Sequence, residues 1–258
     1  MCLWTSSVYS SPFFSVFIKV CKHDHFKESQ WLLVHSWGLC WLEWTQVTRW
    51  TIFRFSFWFP FSFPFVAVVC KPVVDLGFLI DGSGSIEYHG RGNFKLMLNF
   101  IKSIVASLPI SRTQSRIGAV LFSDKPIPLF RFGQLNSVTH VIQAIDSIRY
   151  PRGGTYIGRA LSFIRRYLFS GRRKSDRKRI LILLTDGLSK DGVRREASLL
   201  QKRDVEVFAV GIGKAVRLNQ LLQIATDRQH VSFVSFRALA ALSSSMKAKI
   251  CQRVGPPG

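Results

Sequence analysis

The sequence predicts an α/β domain: a doubly wound, mostly parallel sheet flanked by helices on both faces, with one antiparallel edge strand. Three observations predict it. Continuous apolar runs recur, VVDLGFLID (73–81), RILILLTDG (179–187) and VEVFAVGIG (205–213), and read as strands buried on both faces. Segments of helical period separate them, so strands and helices alternate. Two of the apolar runs end in a carboxylate, Asp81 and Asp186, where open α/β sheets place their ligands.

The elements follow in order. After the first strand, NFKLMLNFIKSIVASL (93–108) sets Phe94, Leu96, Met97, Phe100, Ile101, Ile104, Val105 and Leu108 at helical spacing. RIGAVLFS (116–123) is the next strand. Residues 124–128 turn the chain, and PLFRF (128–132) pairs back as the edge hairpin. SVTHVIQAIDSI (137–148) is an amphipathic helix with Ser137 as its cap. TYIGRALSFIRRYLF (155–169) is another. Residues 191–203 form a charged helix after the second central strand, and 217–225 a helix after the third. Residues 231–236 make a short strand and 237–250 a closing helix.

Composition divides the 258 residues into unlike parts. All seven Trp and eleven of the 22 Phe lie within residues 1–70, a stretch with no defensible helical or strand period. Its run FSFWFPFSFPFVAVV (55–69) is apolar but short for a span and broken by Pro60 and Pro64. Phe, Ser and Pro have pyrimidine-rich codons, so this run looks like a translated splice-acceptor tract. We therefore read 1–69 as largely a gene-model artefact, with a signal or membrane segment as the alternative; membrane association stays open. Residues 70–251 form the domain, and 252–258 a tail. The domain side carries 31 Lys and Arg against 12 Asp and Glu, most of the net charge of +21. That balance favours anionic partners without choosing among them.

Three loops fall at one edge of the expected sheet: DGSGS (81–85), RGGTYIG (152–158) and TDG (185–187). They offer Asp81, Ser83, Ser85, Thr155 and Asp186, all oxygen donors. The absence of His and Cys from this set disfavours zinc and copper, and Mg2+ (or Mn2+) fits hard oxygens best. Alone, an Asp or Ser at a strand end is an ordinary helix cap; five in order on the right elements make a stronger pattern.

Those five positions resemble the metal-ion-dependent adhesion site (MIDAS) of von Willebrand factor type A (VWA) domains, whose fold is Rossmann-like. D-x-S-x-S matches Asp81, Ser83 and Ser85; the Gly-Gly-Thr loop matches Thr155; T-D-G matches Asp186. The likeness covers about residues 73–250 and is similar to the A domains of collagens and matrilin-like matrix proteins. It implies that the three hydroxyls bind the cation directly, that the two aspartates act largely through water, and that an open position takes a partner's carboxylate. The loop after Ser85, IEYHGRGNF, is longer than the family's usual one, and Glu87, His89 and Arg91 bear on access to the metal face.

Further signals remain. Cys70 and Cys251 bracket a cysteine-free domain, which suggests one disulfide and an oxidising compartment, against two unrelated thiols. RRYLFSGRRKSDRKR (165–179) collects Arg165, Arg166, Arg172, Arg173, Lys174, Arg177, Lys178 and Arg179: a solvated face or a polyanion site for glycosaminoglycan. No stacking platform or groove-reading motif accompanies it, so nucleic acid is not expected. No P-loop and no nucleophile–base pair stands out, so the chain does not read as an enzyme. The ending GPPG is one collagen-type triplet plus a glycine.

The expectation is an extracellular, secreted or matrix-associated adhesion module. It binds an acidic group of a matrix protein, such as collagen, through a divalent cation. The alternative is an assembly domain of a collagen-like chain whose basic surface binds glycosaminoglycan. A third reading is an intracellular A domain within a protein complex.

Overall fold

The computed structural model describes residues 72–171 and 177–254, with two short pieces before them. The chain divides into two compact units, Met1–Phe65 and Val66–Gly258. In the first, a two-rung antiparallel pairing joins β1 (Val34–His35) to β2 (Gly38–Leu39). Cys70, the cluster Arg172, Arg173 and Lys174, and the GPPG ending lie outside the described residues.

The second unit is built on a six-stranded sheet in the order β5-β4-β3-β6-β7-β8. Its strands are β3 (Val74–Asp81), β4 (Arg116–Phe122), β5 (Pro126–Phe130), β6 (Lys178–Thr185), β7 (Val205–Ile212) and β8 (Val231–Val234). Five strands run parallel; β5 alone is antiparallel to its neighbour. The expected fold class is the one found.

The alternating side chains of β3 serve two cores. Val74, Leu76, Phe78 and Ile80 belong to the core beneath α2 (Asn93–Val105), α3 (Val138–Asp146) and α7 (Leu239–Val254). Leu79 joins Val120, Phe122, Leu181 and Leu183 beneath α4 (Ile157–Tyr167) and α5 (Arg194–Gln201). A further helix, α6 (Leu218–Ile224), packs on α5 and β7. Burial on both faces explains why the central strands read as unbroken apolar runs. Gly77 and Gly118 are register partners on the α4 side. A Cβ at Gly118 would stand 2.8 Å from Leu168, and one at Gly77 3.1 Å from the Phe169 ring. The chain leaving α4 therefore lies directly on the sheet at these two positions.

Several boundaries shift from the expected ones. The edge strand begins at Pro126, not Pro128, because an edge strand tolerates residues without an N–H. The charged helix starts at Arg194, not 191, because Asp191 is used to cap α4. The last helix runs to Val254. Ser137 caps α3 as expected, accepting from His140 N. A one-turn helix not foreseen, α1 (Ser85–Tyr88), opens immediately after the D-x-S-x-S stretch.

Candidate metal-ion site

β3 and β6 are neighbours in the sheet, and the strand order departs in opposite directions from them. The loops after both strands thus meet at the switch point, where such sheets bind ligands. Asp81 ends β3 and is fully buried; Asp186 follows β6 and is 1% exposed.

The 105 positions between the two aspartates close to hydrogen-bond distance through serines. Ser85 Oγ donates to Asp186 Oδ1 at 2.8 Å, and Ser83 Oγ to the same oxygen at 3.4 Å. The two serine hydroxyls lie 3.1 Å apart. Asp81 Oδ1 accepts from Ser83 N at 2.8 Å, and its Oδ2 accepts from Thr185 Oγ1 at 2.6 Å. Thr155 stands at the same spot: a Cβ on Gly187 would be 3.5 Å from Thr155 Oγ1 and 3.9 Å from Ser85 Oγ. All five expected residues therefore converge.

Two buried carboxylates without a cation are costly. Burial pushes Asp81 up to about 7, against the Thr185 and Ser83 hydrogen bonds that pull it down. Asp186 is also raised, first by burial, with the Ser85 hydroxyl acting the other way. One atom stands out. Asp186 Oδ2 is buried and has no hydrogen-bond partner among the described residues. A carboxylate oxygen left bare beside three hydroxyls is what a hard cation and its waters would satisfy. The residues present fit such an ion.

The three loops are tied to one another by groups the sequence reading did not single out. Gly84 N donates to Gly153 O at 2.9 Å, and Lys190 N to Thr155 O at 2.8 Å. Asp124 Oδ1 accepts from Gly154 N at 2.8 Å. Asp191 takes the N–H groups of Gly158 and Arg159 at 2.7 and 2.8 Å, fixing the start of α4 just after Thr155. Ser189 Oγ donates to Asp191 Oδ1 and receives Ile157 N. The Tyr150 hydroxyl donates to the Ser83 carbonyl. A signal for Asp124 was present: like Asp81 and Asp186, it stands just beyond an apolar strand. Asp191 and Tyr150 carried none.

In the longer loop after Ser85, Glu87 turns inward and accepts from Gly92 N and Phe94 N at 2.7 and 2.8 Å, capping α2. Tyr88, His89 and Arg91 remain exposed. The basic run is used internally in part. Arg165 pairs with Glu196 at 3.2 Å, Arg177 donates to the carbonyls of Arg112, Thr113 and Gln114, and Arg179 donates to those of Arg203 and Gly171. Arg166 is exposed, Lys178 partly so. Cys251 is disulfide-bonded.

Comparisons with known proteins agree with this geometry. The family model described as von Willebrand factor type A domain matches residues 75–246. Cochlin from Cavia porcellus is 36% identical over 186 residues, covering 71% of this chain and 33% of cochlin. The collagen alpha-5(VI) chain of Homo sapiens is 35% identical over 179 residues, covering 69% of this chain and 7% of that one. Human vitrin is 36% identical over 167 residues, covering 64% and 24%. The chain thus spans a third or less of these relatives, all secreted extracellular matrix proteins. Among solved structures, proximal thread matrix protein 1 from the mussel byssus superposes with a TM-score of 0.66 at 28% identity, covering 71% of this chain and 47% of that one. In that structure the MIDAS motif is occupied by zinc. Donor type alone, which argued against zinc here, therefore does not select the metal. The manganese-loaded TRAP protein of Plasmodium vivax superposes at 0.56 and 25% identity, covering 67% and 72%. Sequence match, sheet order and the converging hydroxyl and carboxylate loops agree: the chain belongs to the von Willebrand factor type A domain family.

Proposed function

We propose that residues 70–251 act as a non-enzymatic adhesion module that holds Mg2+ or Mn2+ at Asp81, Ser83, Ser85, Thr155 and Asp186 and grips an acidic group on a matrix protein such as collagen. The observation that carries this is the unpartnered, buried Asp186 Oδ2 beside the Ser83 and Ser85 hydroxyls. The site of the mussel relative takes zinc and that of the Plasmodium relative manganese, which supports a divalent ion in this one. A bound cation supplies a Lewis-acid position for a partner's carboxylate oxygen. The hydroxyls of Ser83, Ser85 and Thr155 offer neutral oxygens that leave such an ion electrophilic. Asp81 and Asp186, held by Thr185 and Ser85, would offset the charge of such an ion. Cys70 and Cys251 close the domain as one disulfide.

The test is calorimetric titration of Mg2+ and Mn2+ into the whole chain, beside Asp81→Ala and Ser83→Ala. Saturable binding by the wild type, lost in both variants, is expected. No heat from a folded wild type, with either ion, would sink the assignment.

A second reading is favoured by the likeness to a collagen VI chain: an assembly domain of a collagen-like chain, continued by the GPPG tail in 252–258. The polyanion role of the 165–179 run depends on Arg166, Lys178 and the Arg172–Lys174 cluster, since Arg165, Arg177 and Arg179 are engaged internally.

A further inference from the structure

A groove of about 660 Å³ opens between the start of α2 and the chain that follows α3. It reaches the metal loops at two points. Tyr150, on one wall, donates its hydroxyl to the Ser83 carbonyl. Arg152, on the same wall, precedes the Gly-Gly-Thr loop and is held at φ 61°, a left-handed conformation unusual for a non-glycine residue and frequent at functional sites. The floor is aromatic: the Phe94 and Tyr150 rings pack with centroids 4.9 Å apart. The Arg152 guanidinium lies 5.9 Å from the Tyr150 ring centroid.

The charges lining this groove are not balanced. Both carboxylates in its wall are occupied. Glu87 accepts from the N–H groups of Gly92 and Phe94, and Asp146 pairs with Lys102 at 2.5 Å. The three cations Arg91, Lys95 and Arg152 are exposed, and among the described residues none makes an ion pair. Arg91 comes from the Gly-rich loop after Ser85.

We infer that this groove is a second recognition site, which takes an acidic peptide segment of the same partner that offers its carboxylate to the metal. It rests on the metal-site reading for its partner, but not for its own charges. Two features favour a peptide over a sulfated glycan: the aromatic floor, which suits an apolar side chain between acidic ones, and the continuity of Tyr150 with the metal loop. Cations around a carboxylate-binding position steer acidic partners and weaken as salt screens them.

The test uses the whole chain and two fluorescein-labelled nonapeptides, one carrying four Glu and two Phe, the other one Glu and two Phe, read by anisotropy in 50 mM NaCl with Mg2+ or with chelator. The four-Glu peptide is expected to bind at least fivefold more tightly, the margin shrinking as NaCl rises. Arg91→Glu combined with Lys95→Glu should abolish that margin by weakening the four-Glu peptide far more than the one-Glu peptide, with saturable Mg2+ binding retained in calorimetry. Ser83→Ala should weaken both peptides and leave the ratio between them. A margin that survives the charge reversal overturns the proposal. Binding that ignores chelator yet falls in the double variant keeps the groove and discards the metal reading. A heparin octasaccharide that needs Arg91 and Lys95, with peptides that do not, makes the groove a glycan site and overturns the proposal as stated.

Discussion

Asp81 carries the largest electrostatic strain in the site. In the folded, metal-free protein it keeps its proton to about pH 7, whereas the unfolded chain releases it near 3.8. Between those limits the folded state binds more protons, so stability falls as pH rises through the window, and the full penalty is present above pH 7. The chelated protein should therefore unfold at lower urea at pH 8 than at pH 5. Asp81→Asn should flatten that difference, and Mg2+ at pH 8 should restore the midpoint. Thr185→Val removes a hydrogen bond that favours the carboxylate, so it should move the pH midpoint upward. That these five residues would meet at one sheet edge was legible in the sequence, because each stands in a short motif at a strand or helix end. Asp191, Tyr150 and the inward turn of Glu87 were not. Asp191 and Tyr150 act on backbone groups far along the chain, which no local spacing encodes, and Glu87 turns back on N–H groups five and seven residues on, a loop closure that its own helix-like spacing does not show.

At the scale of elements, the strands were the most legible part, because burial on both faces leaves a continuous apolar run. Loops were less so. Gly153 shows why the Gly-Gly-Thr loop needs its sequence. It sits at φ 110°, and a Cβ there would stand 2.5 Å from Asp124 Oδ2. Gly153→Ala should cost about 1–3 kcal/mol in urea unfolding and weaken Mg2+ in calorimetry, because the loop that carries Thr155 would have to shift. The edge strand was misplaced by two residues because its prolines resemble turn residues when the sheet position is unknown. The charged helix was overextended at its start because Asp191 looks helical until its bonds to α4 are seen.

For the whole molecule, the ends of the domain matter most. Lys249 on α7 donates to the Gln229 carbonyl at 2.9 Å, and Cys251, two residues on, is disulfide-bonded. If Cys70 is its partner, the bridge closes nearly the whole domain, worth about 5 kcal/mol in the loop-entropy picture. Reductant should lower the urea midpoint of the wild type and leave Cys251→Ser unaffected. A non-reduced digest should contain one peptide joining Cys70 to Cys251. A digest without it would reassign the pairing.

Both margins of the sheet bear on how such a domain survives at high density beside copies of itself. A free strand edge is a template on which other chains add. Here β5 presents Pro126 and Pro128, which have no amide hydrogen to offer, and β8 is only four residues long. The prolines that obscured the strand in the sequence thus blunt one margin, and brevity blunts the other. The domain can be packed edge to edge without seeding cross-chain β-structure.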